Sequence, residues 1–453
     1  MISLHSRYNP VAEAQRYLDA IPMRQGTRFF ILIEPGEGYL IPILNQRFPT
    51  VTVIALHLTD SFSSSSQGNC LSWSPAAGPL HSFLEKIIPD IEARFVHIIE
   101  WRPASTLYGK LYVQLLSETT EFLKRIDANA RTACAFGTRW VKNFFKNVDR
   151  IRLVCPILHI PIAAPFIITG AGPSLEKALP IIRRQRSASI IAASSSVPAL
   201  RAGKIEPDMI ITTDGGTWAL FHLYECLRDK KNFTLVATMT AALPSQCSSV
   251  SVIPVADRSL WQTLILRALQ IPFIALPQRG TVTASAIDFA LTVSSGKIGI
   301  AGVDLAHADI RTHARPNTFD RFQDEQATRC NPVYTQRFVR SSAITGGGSL
   351  PIYTSWFKQE IGTYPHRLFS LGSNNPVFTA LPAWKDAAEP SPSLHLKSIP
   401  NTATASEGKE ILFHALENDK VSDTIRQELA PLLFPGVQEV SAADLKNKLE
   451  TLL

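Results

Sequence analysis

Residues 165–175 read PFIITGAGPSL, and the fold turns on how this stretch is read. The apolar run from Pro165 to Thr169 reads as a buried strand. Gly170, Ala171, Gly172, Pro173 and Ser174 make a tight turn, and the following LEKALPII reads as a helix despite Pro180. A strand, a glycine turn and a helix start together form an anion site. Glycine lets the backbone come close to a phosphate, and free amides at the helix N-terminus point at it. Ser174 stands where an N-cap side chain is expected. Many α/β proteins carry such a turn for packing alone, so the turn needs company before it means function.

Working outward, the company is there. SIIAA (189–193) ends in Ser194, Ser195 and Ser196, and a new helix starts at Val197. MIITT (209–213) ends at Asp214, and KIGIAGV (297–303) ends at Asp304. Small, hydroxylated or acidic residues follow each strand. In an open parallel sheet, ligands lie beyond the carboxyl ends of the strands. The spacing therefore predicts a Rossmann-like α/β domain with a mostly parallel sheet, four segments converging on one edge. Ordinary βα turns favour the same residue types, which is the competing structural reading.

These pieces resemble a family. GAGPSL (170–175), PDMIITTD (207–214), RGTVTASAIDFAL (279–291) and GVDLAHADIRTHA (302–314) occur here in order. Together they resemble the motility accessory factors, bacterial glycosyltransferases that modify flagellin. More distantly they resemble bacterial sialyltransferases and the hydroxymethyldihydropterin diphosphokinases that share the core domain. FGTRWVKNFFKNV (136–148) is similar to the helix that precedes this domain in the accessory factors. The resemblance spans roughly residues 130 to 385.

The resemblance implies transfer of a sialic-acid-like nonulosonic sugar, such as pseudaminic or legionaminic acid, from its CMP-activated form to a Ser or Thr of flagellin. Gly170, Ala171, Gly172, Pro173 and Ser174 would hold the phosphate or ribose, with Ser194 and Ser195 at the next strand end. Asp214 would orient ribose, base or an ion. Arg279, Gly280 and Thr281 match the loop facing the sugar carboxylate or phosphate, where Arg279 could clamp an anion bidentately. The sialyltransferases carry Asn where this chain has Ala171, which removes one donor and makes sialic acid itself a less safe guess. No tightly bound cofactor is implied; the CMP-sugar is the donor substrate, with magnesium left open. Two alternatives remain: an ATP-dependent diphosphotransferase acting on hydroxymethyldihydropterin, and a non-catalytic flagellin-binding factor.

Asp304, His307, Asp309 and His313 form a polar cluster within ten residues. The spacing matches no recognised metal-ligand pattern, so no metal site is assigned. A general base is another reading, because histidine can be neutral at working pH; His313 is the first candidate, with His307 and Asp304 beside it. Exposed loop histidines are the bland reading.

The chain has 453 residues, too many for one ordinary core, so two or three domains are expected. Apolar residues make up 45%, which fits a folded protein. A net charge of +7 permits an anionic nucleotide without implying nucleic acid, for which no signature is present. Arg139, Lys142 and Lys146 beside Phe144 and Phe145 read as a solvated basic face over an aromatic core face. The six cysteines are dispersed with no CxxC pair, so reduced thiols in a cytoplasmic protein are expected. No signal peptide or membrane-length apolar run appears.

Residues 1–130 read as a smaller α/β domain, for acceptor binding or structure. Its βαβ unit has a glycine turn, EPGEGY (34–39), but His57 and Leu58 replace the acidic residue a cofactor fingerprint needs. Residues 131–385 form the nucleotide-sugar-binding domain, including a helix over Val282–Val293 and a polar, irregular stretch from His313 to Asn331 that suits a lid. The glycine cluster at 346–348 reads as a hinge. Residues 386–453 open with a linker and close with a helical appendage. Oligomeric state is not legible.

Overall fold

The computed structural model describes residues 4–61, 70–156, 160, 163–185, 188–228, 233–305, 313–335, 354, 357, 364, 366–372, 381–385, 396–437 and 440–453. The chain divides into two compact units, Met1–Ala133 and Cys134–Leu453. His307, Asp309 and the glycines at 346–348 lie outside the described residues.

The first unit is a four-stranded parallel sheet. Its strands are β1 (Phe29–Ile33), β2 (Thr52–Leu56), β3 (Cys70–Trp73) and β4 (Val96–Glu100), in the order β3-β2-β1-β4. The runs FFILI and TVIAL are buried in four of five positions, as expected of parallel strands covered on both faces. Beyond β1, Glu34 is fully buried with a φ of 48°, and its carboxylate accepts the Gly36 and Leu58 amides at 3.2 and 2.6 Å. Leu4 and His5 pack over this turn, and His5 Nε2 accepts the Glu37 amide at 3.0 Å. A buried carboxylate and the chain's own residues thus fill the place where an anionic cofactor would sit.

The sequence predicts separate helices over 108–123 and 136–148. The structure has one helix, Lys110–Arg150. Nothing between the two stretches breaks it: residues 124–135 contain no proline or glycine, and Ala128, Ala130, Ala133 and Ala135 favour helix. Tyr112, Leu115, Phe122 and Ile126 belong to the core of the first unit; Val141, Phe144, Phe145 and Val148 belong to that of the second. Lys146 is exposed behind the buried Phe144 and Phe145, so the basic face is solvated.

The second unit holds the large sheet. Its strands are β5 (Leu153–Val154), β6 (Phe166–Thr169), β7 (Ser189–Ala193), β8 (Met209–Thr212), β9 (Thr234–Thr238), β10 (Ser251–Ala256), β11 (Ile274–Ala275), β12 (Ile298–Ala301), β13 (Leu368–Ser370) and β14 (Ile399–Pro400). The order is β13-β12-β6-β7-β8-β9-β10-β5-β14, with β11 beside β10. Every pairing is parallel except β14 with β5. From β6 the chain builds outward through β7, β8, β9 and β10, then returns to place β12 and β13 on the other side of β6. The strand order therefore reverses between β6 and β12, the position where doubly wound sheets open a crevice at their carboxyl ends.

The C-terminal helices Ala405–Glu417, Asp419–Leu433 and Ala442–Leu452 complete the core of this unit rather than hanging from it. Leu412, Ile425, Leu429, Leu445 and Leu449 are buried in the same core as Phe144 and Trp261. The Glu428 carboxylate accepts the Leu260 and Trp261 amides at 2.8 and 3.1 Å, capping the helix Leu260–Ala268 from outside.

Candidate functional site at the carboxyl edge of the large sheet

The turn after β6 meets the turn after β12. The Gly170 amide donates to the Ala301 carbonyl at 2.8 Å and the Gly172 amide to the Gly302 carbonyl at 2.7 Å. The approach is so close that a Cβ on Gly172 would stand 2.6 Å from Asp304 Oδ2. Gly302 has a φ of 66°, and a Cβ there would press on the Gly170 carbonyl. These glycines are thus required by the junction of two strand ends, whatever the turn binds.

Ser174 does not cap the helix Leu175–Arg184 as its position suggests. Its backbone is already helical, its side chain makes no capping bond, and its Oγ is buried without a partner. The reason is that Asp304 does the work: its Oδ2 accepts the Ser174 amide at 2.7 Å. A negative charge at a helix N-terminus is favourable, so the carboxylate of one predicted site residue fills the anion position of another.

His313 lies on the same edge. The neighbouring Ala314 amide donates to the Ala171 carbonyl at 2.8 Å, and the Arg315 amide to Glu176 Oε1 at 3.0 Å. The chain after residue 312 is thereby pinned to the glycine turn. His313 itself is exposed. The sequence predicts an irregular stretch here, whereas Thr318–Glu325 is a helix with a capping box formed by Asn317 and Asp320.

The end of β8 supplies Asp214, which is exposed and accepts the Gly216 amide at 2.6 Å. Its loop is fixed from behind by the helix Lys110–Arg150. Asn143 Nδ2 donates to the Gly215 and Thr240 carbonyls at 3.1 and 3.0 Å; Asn147 Nδ2 donates to Met239 and Ala241 at 2.9 and 2.8 Å. At the end of β7, Ser194 is buried and Ser195 half-buried. Ser196 is buried too, its Oγ 2.9 Å from Thr169 Oγ1.

Arg279, Gly280 and Thr281 are arranged differently from the expectation. Arg279 holds Asp288 through Nε and Nη2 at 2.5 and 3.3 Å, so these two donors grip a carboxylate on the helix that follows the loop. Thr281 is the N-cap of Val282–Val293, accepting the Ala284 amide at 3.1 Å, and Gly280 is exposed. Arg279 and Thr281 have local structural duties. Asp288, inside the very motif that includes Arg279, was the signal for this pairing.

Sequence reasoning missed His222. It lies on the helix Ala219–Leu227, and its Nδ1 is 3.1 Å from Thr318 Oγ1. Burial first, then the nearby His313, pushes its pKa down to about 4; Asp214 opposes the shift. Asp214, His222 and His313 therefore share one electrostatic neighbourhood. Around them Trp218, Phe221, Phe319 and Phe322 form an aromatic shelf with centroid spacings of 5.7 Å for Trp218–Phe221 and 5.8 Å from Trp218 to each of Phe319 and Phe322. Trp218 is 58% exposed. The signal was available: Trp218 and His222 are spaced i, i+4 just after Asp214.

Among the described residues no group of three or more His, Cys, Asp or Glu could hold a metal ion. All six cysteines are free, and no described helix is long and apolar enough to cross a membrane.

The fold and this edge define a Rossmann-like α/β domain whose ligand face lies at a strand-order reversal. Residues 139–309 match the family model "6-hydroxymethylpterin diphosphokinase MptE-like". An uncharacterized protein of Treponema pallidum (strain Nichols) is 28% identical over 327 residues, 71% of this chain and 68% of that protein. A second from the same organism is 30% identical over 122 residues, 26% of this chain and 57% of that protein. Among solved structures, the MAf glycosyltransferase from Magnetospirillum magneticum AMB-1 is similar with a TM-score of 0.49 and 14% identity, covering 100% of this chain and 79% of that one. The sialyltransferase CST-II, solved with a trisaccharide acceptor and CMP, has a TM-score of 0.21 and 12% identity, covering 53% of this chain and 93% of that one.

Proposed function

We propose that the protein is a cytoplasmic glycosyltransferase that moves a nonulosonic sugar from a CMP-activated donor to Ser or Thr of flagellin, in support of filament assembly and motility. The observation that carries this reading is the convergence, at the β6/β12 reversal, of the glycine turn with Asp304, Ala314 and His313. The ordered motif set supports this reading, because it resembles that of enzymes of CMP-sugars. In this reading the turn 170–174 receives the donor phosphate once Asp304 swings off the Ser174 amide. Ser194 and Ser195 meet the nucleotide, and Asp214 orients ribose or base. The acceptor proton goes to a base on this edge, for which the sequence puts forward His313, with Asp304 and His307 as alternatives. Magnesium enters only as an accessory ion for the donor phosphate. Residues 1–130 hold flagellin.

The MptE-like match favours one second reading, an ATP-dependent diphosphotransferase acting on hydroxymethyldihydropterin. Calorimetry with CMP, ATP and GTP separates the two. Preferential CMP binding supports sugar transfer, and preferential ATP binding replaces it with the second reading. A pull-down with residues 1–130 removed tests flagellin capture: retention of flagellin by the truncated chain would refute the division of labour.

A further inference from the structure

His222 has the features of a general base that the motifs did not pick out. It projects from a regular helix, and Thr318 at the start of another helix holds its Nδ1. When Nδ1–H donates to Thr318 Oγ1, the lone pair lies on Nε2, which has no hydrogen-bond partner among the described residues. Phe319 stands edge-on to the ring at 4.9 Å and fixes its plane. The ring lies beside the exposed shelf of Trp218, Phe221 and Phe322, at the carboxyl edge that holds Asp214 and His313. Exposed apolar surface of this kind marks a contact site, and an aromatic wall with a few aimed polar groups is the usual make-up of a small-molecule pocket.

Resting on the transfer reading above, we propose that His222, rather than His313, takes the proton of the acceptor hydroxyl, with the Trp218–Phe221 shelf as the wall of the sugar and acceptor subsite. The hydroxyl proton passes to Nε2 as its oxygen bonds to the anomeric carbon of the sugar. The bond from that carbon to the CMP phosphate oxygen breaks, and its electron pair leaves with CMP. The imidazolium then returns the proton to solvent. A base must be unprotonated at working pH, and burial lowers the pKa of this ring to about 4, so it is neutral near pH 7. Asp214 and His313 are the titratable groups that act on it, in opposite senses.

The test measures flagellin-dependent CMP release from CMP-N-acetylneuraminate and CMP-pseudaminate by the full chain, with CMP affinity taken separately by calorimetry. His222→Gln should lower release about 100- to 10,000-fold with CMP affinity within about threefold of wild type. Thr318→Val should lower release less. The acid limb of the wild-type rate should fall near pH 4, well below the ordinary histidine value of about 6.5. Unchanged release by a folded, CMP-binding His222→Gln protein would overturn the assignment and leave the transfer reading standing. So would an acid limb abolished by His313→Gln but not by His222→Gln. A wild-type protein that neither binds CMP nor releases it from either donor would remove the transfer reading, and this role with it.

Discussion

The Asp304 carboxylate accepts the backbone amide of Ser174 at 2.7 Å, across 130 residues of chain. One strand end thus supplies the anion for the helix start that follows another. The glycine turn is occupied by a carboxylate before any ligand arrives.

Asp304→Asn should therefore tighten anion binding at the turn. A phosphate must displace this hydrogen bond, and bonds to charged groups are worth about 1.5–3 kcal/mol. Removing the charge should improve CMP or pyrophosphate affinity roughly tenfold or more in calorimetry. Equal or weaker affinity would mean that the carboxylate contacts the ligand rather than competing with it.

Gly302→Ala should destabilise the larger unit by about 2 kcal/mol or more. Its φ of 66° costs a side chain about 1–2 kcal/mol, and the added Cβ meets the Gly170 carbonyl. From the sequence, Gly172→Val is expected to block nucleotide without unfolding. The structure changes that expectation, because the side chain would strike Asp304 and the Gly302 carbonyl. Urea midpoints of both variants check this; wild-type midpoints would show that the junction relaxes freely.

The two helix caps should respond differently. Thr281→Ala removes a working cap and should cost about 1 kcal/mol. Ser174→Ala removes an Oγ that makes no bond, so the change should stay within about 0.5 kcal/mol. Paired denaturation curves decide; equal losses would contradict the assignment of Asp304 as the capping group.

Asn147→Leu should be strongly destabilising despite the similar size. Asn147 is fully buried and satisfies two carbonyls at the ends of the β9 turn. Each carbonyl left buried without a donor costs about 1–3 kcal/mol. Asn143→Ala, on the half-buried turn of the same helix, should cost less but raise the KM for any ligand bound beside Asp214. Unfolding free energies and substrate titrations report the two effects. A neutral Asn147→Leu variant would show that water replaces the amide.

The sequence by itself determined the parallel sheet. Runs such as FIIT, SIIAA and MIIT are buried at every position, and only strands covered on both faces tolerate that pattern. It also determined the positions of the strand ends, because glycine, serine and aspartate there answer to local turn chemistry, and the helix Val282–Val293, which its periodicity marked to the residue. Pairings between distant residues were decided by the tertiary structure alone. The sequence puts Arg279 forward as an anion clamp, and the fold pairs it with Asp288; Ser174 looked like a cap until the end of β12 delivered Asp304. The sequence reading passed over His222, and only the fold brings Thr318 and Phe319 against it. Propensity and spacing act over a few residues. Charge pairing and desolvation act through space, and their partners are fixed only when the order of strands in the sheet is known.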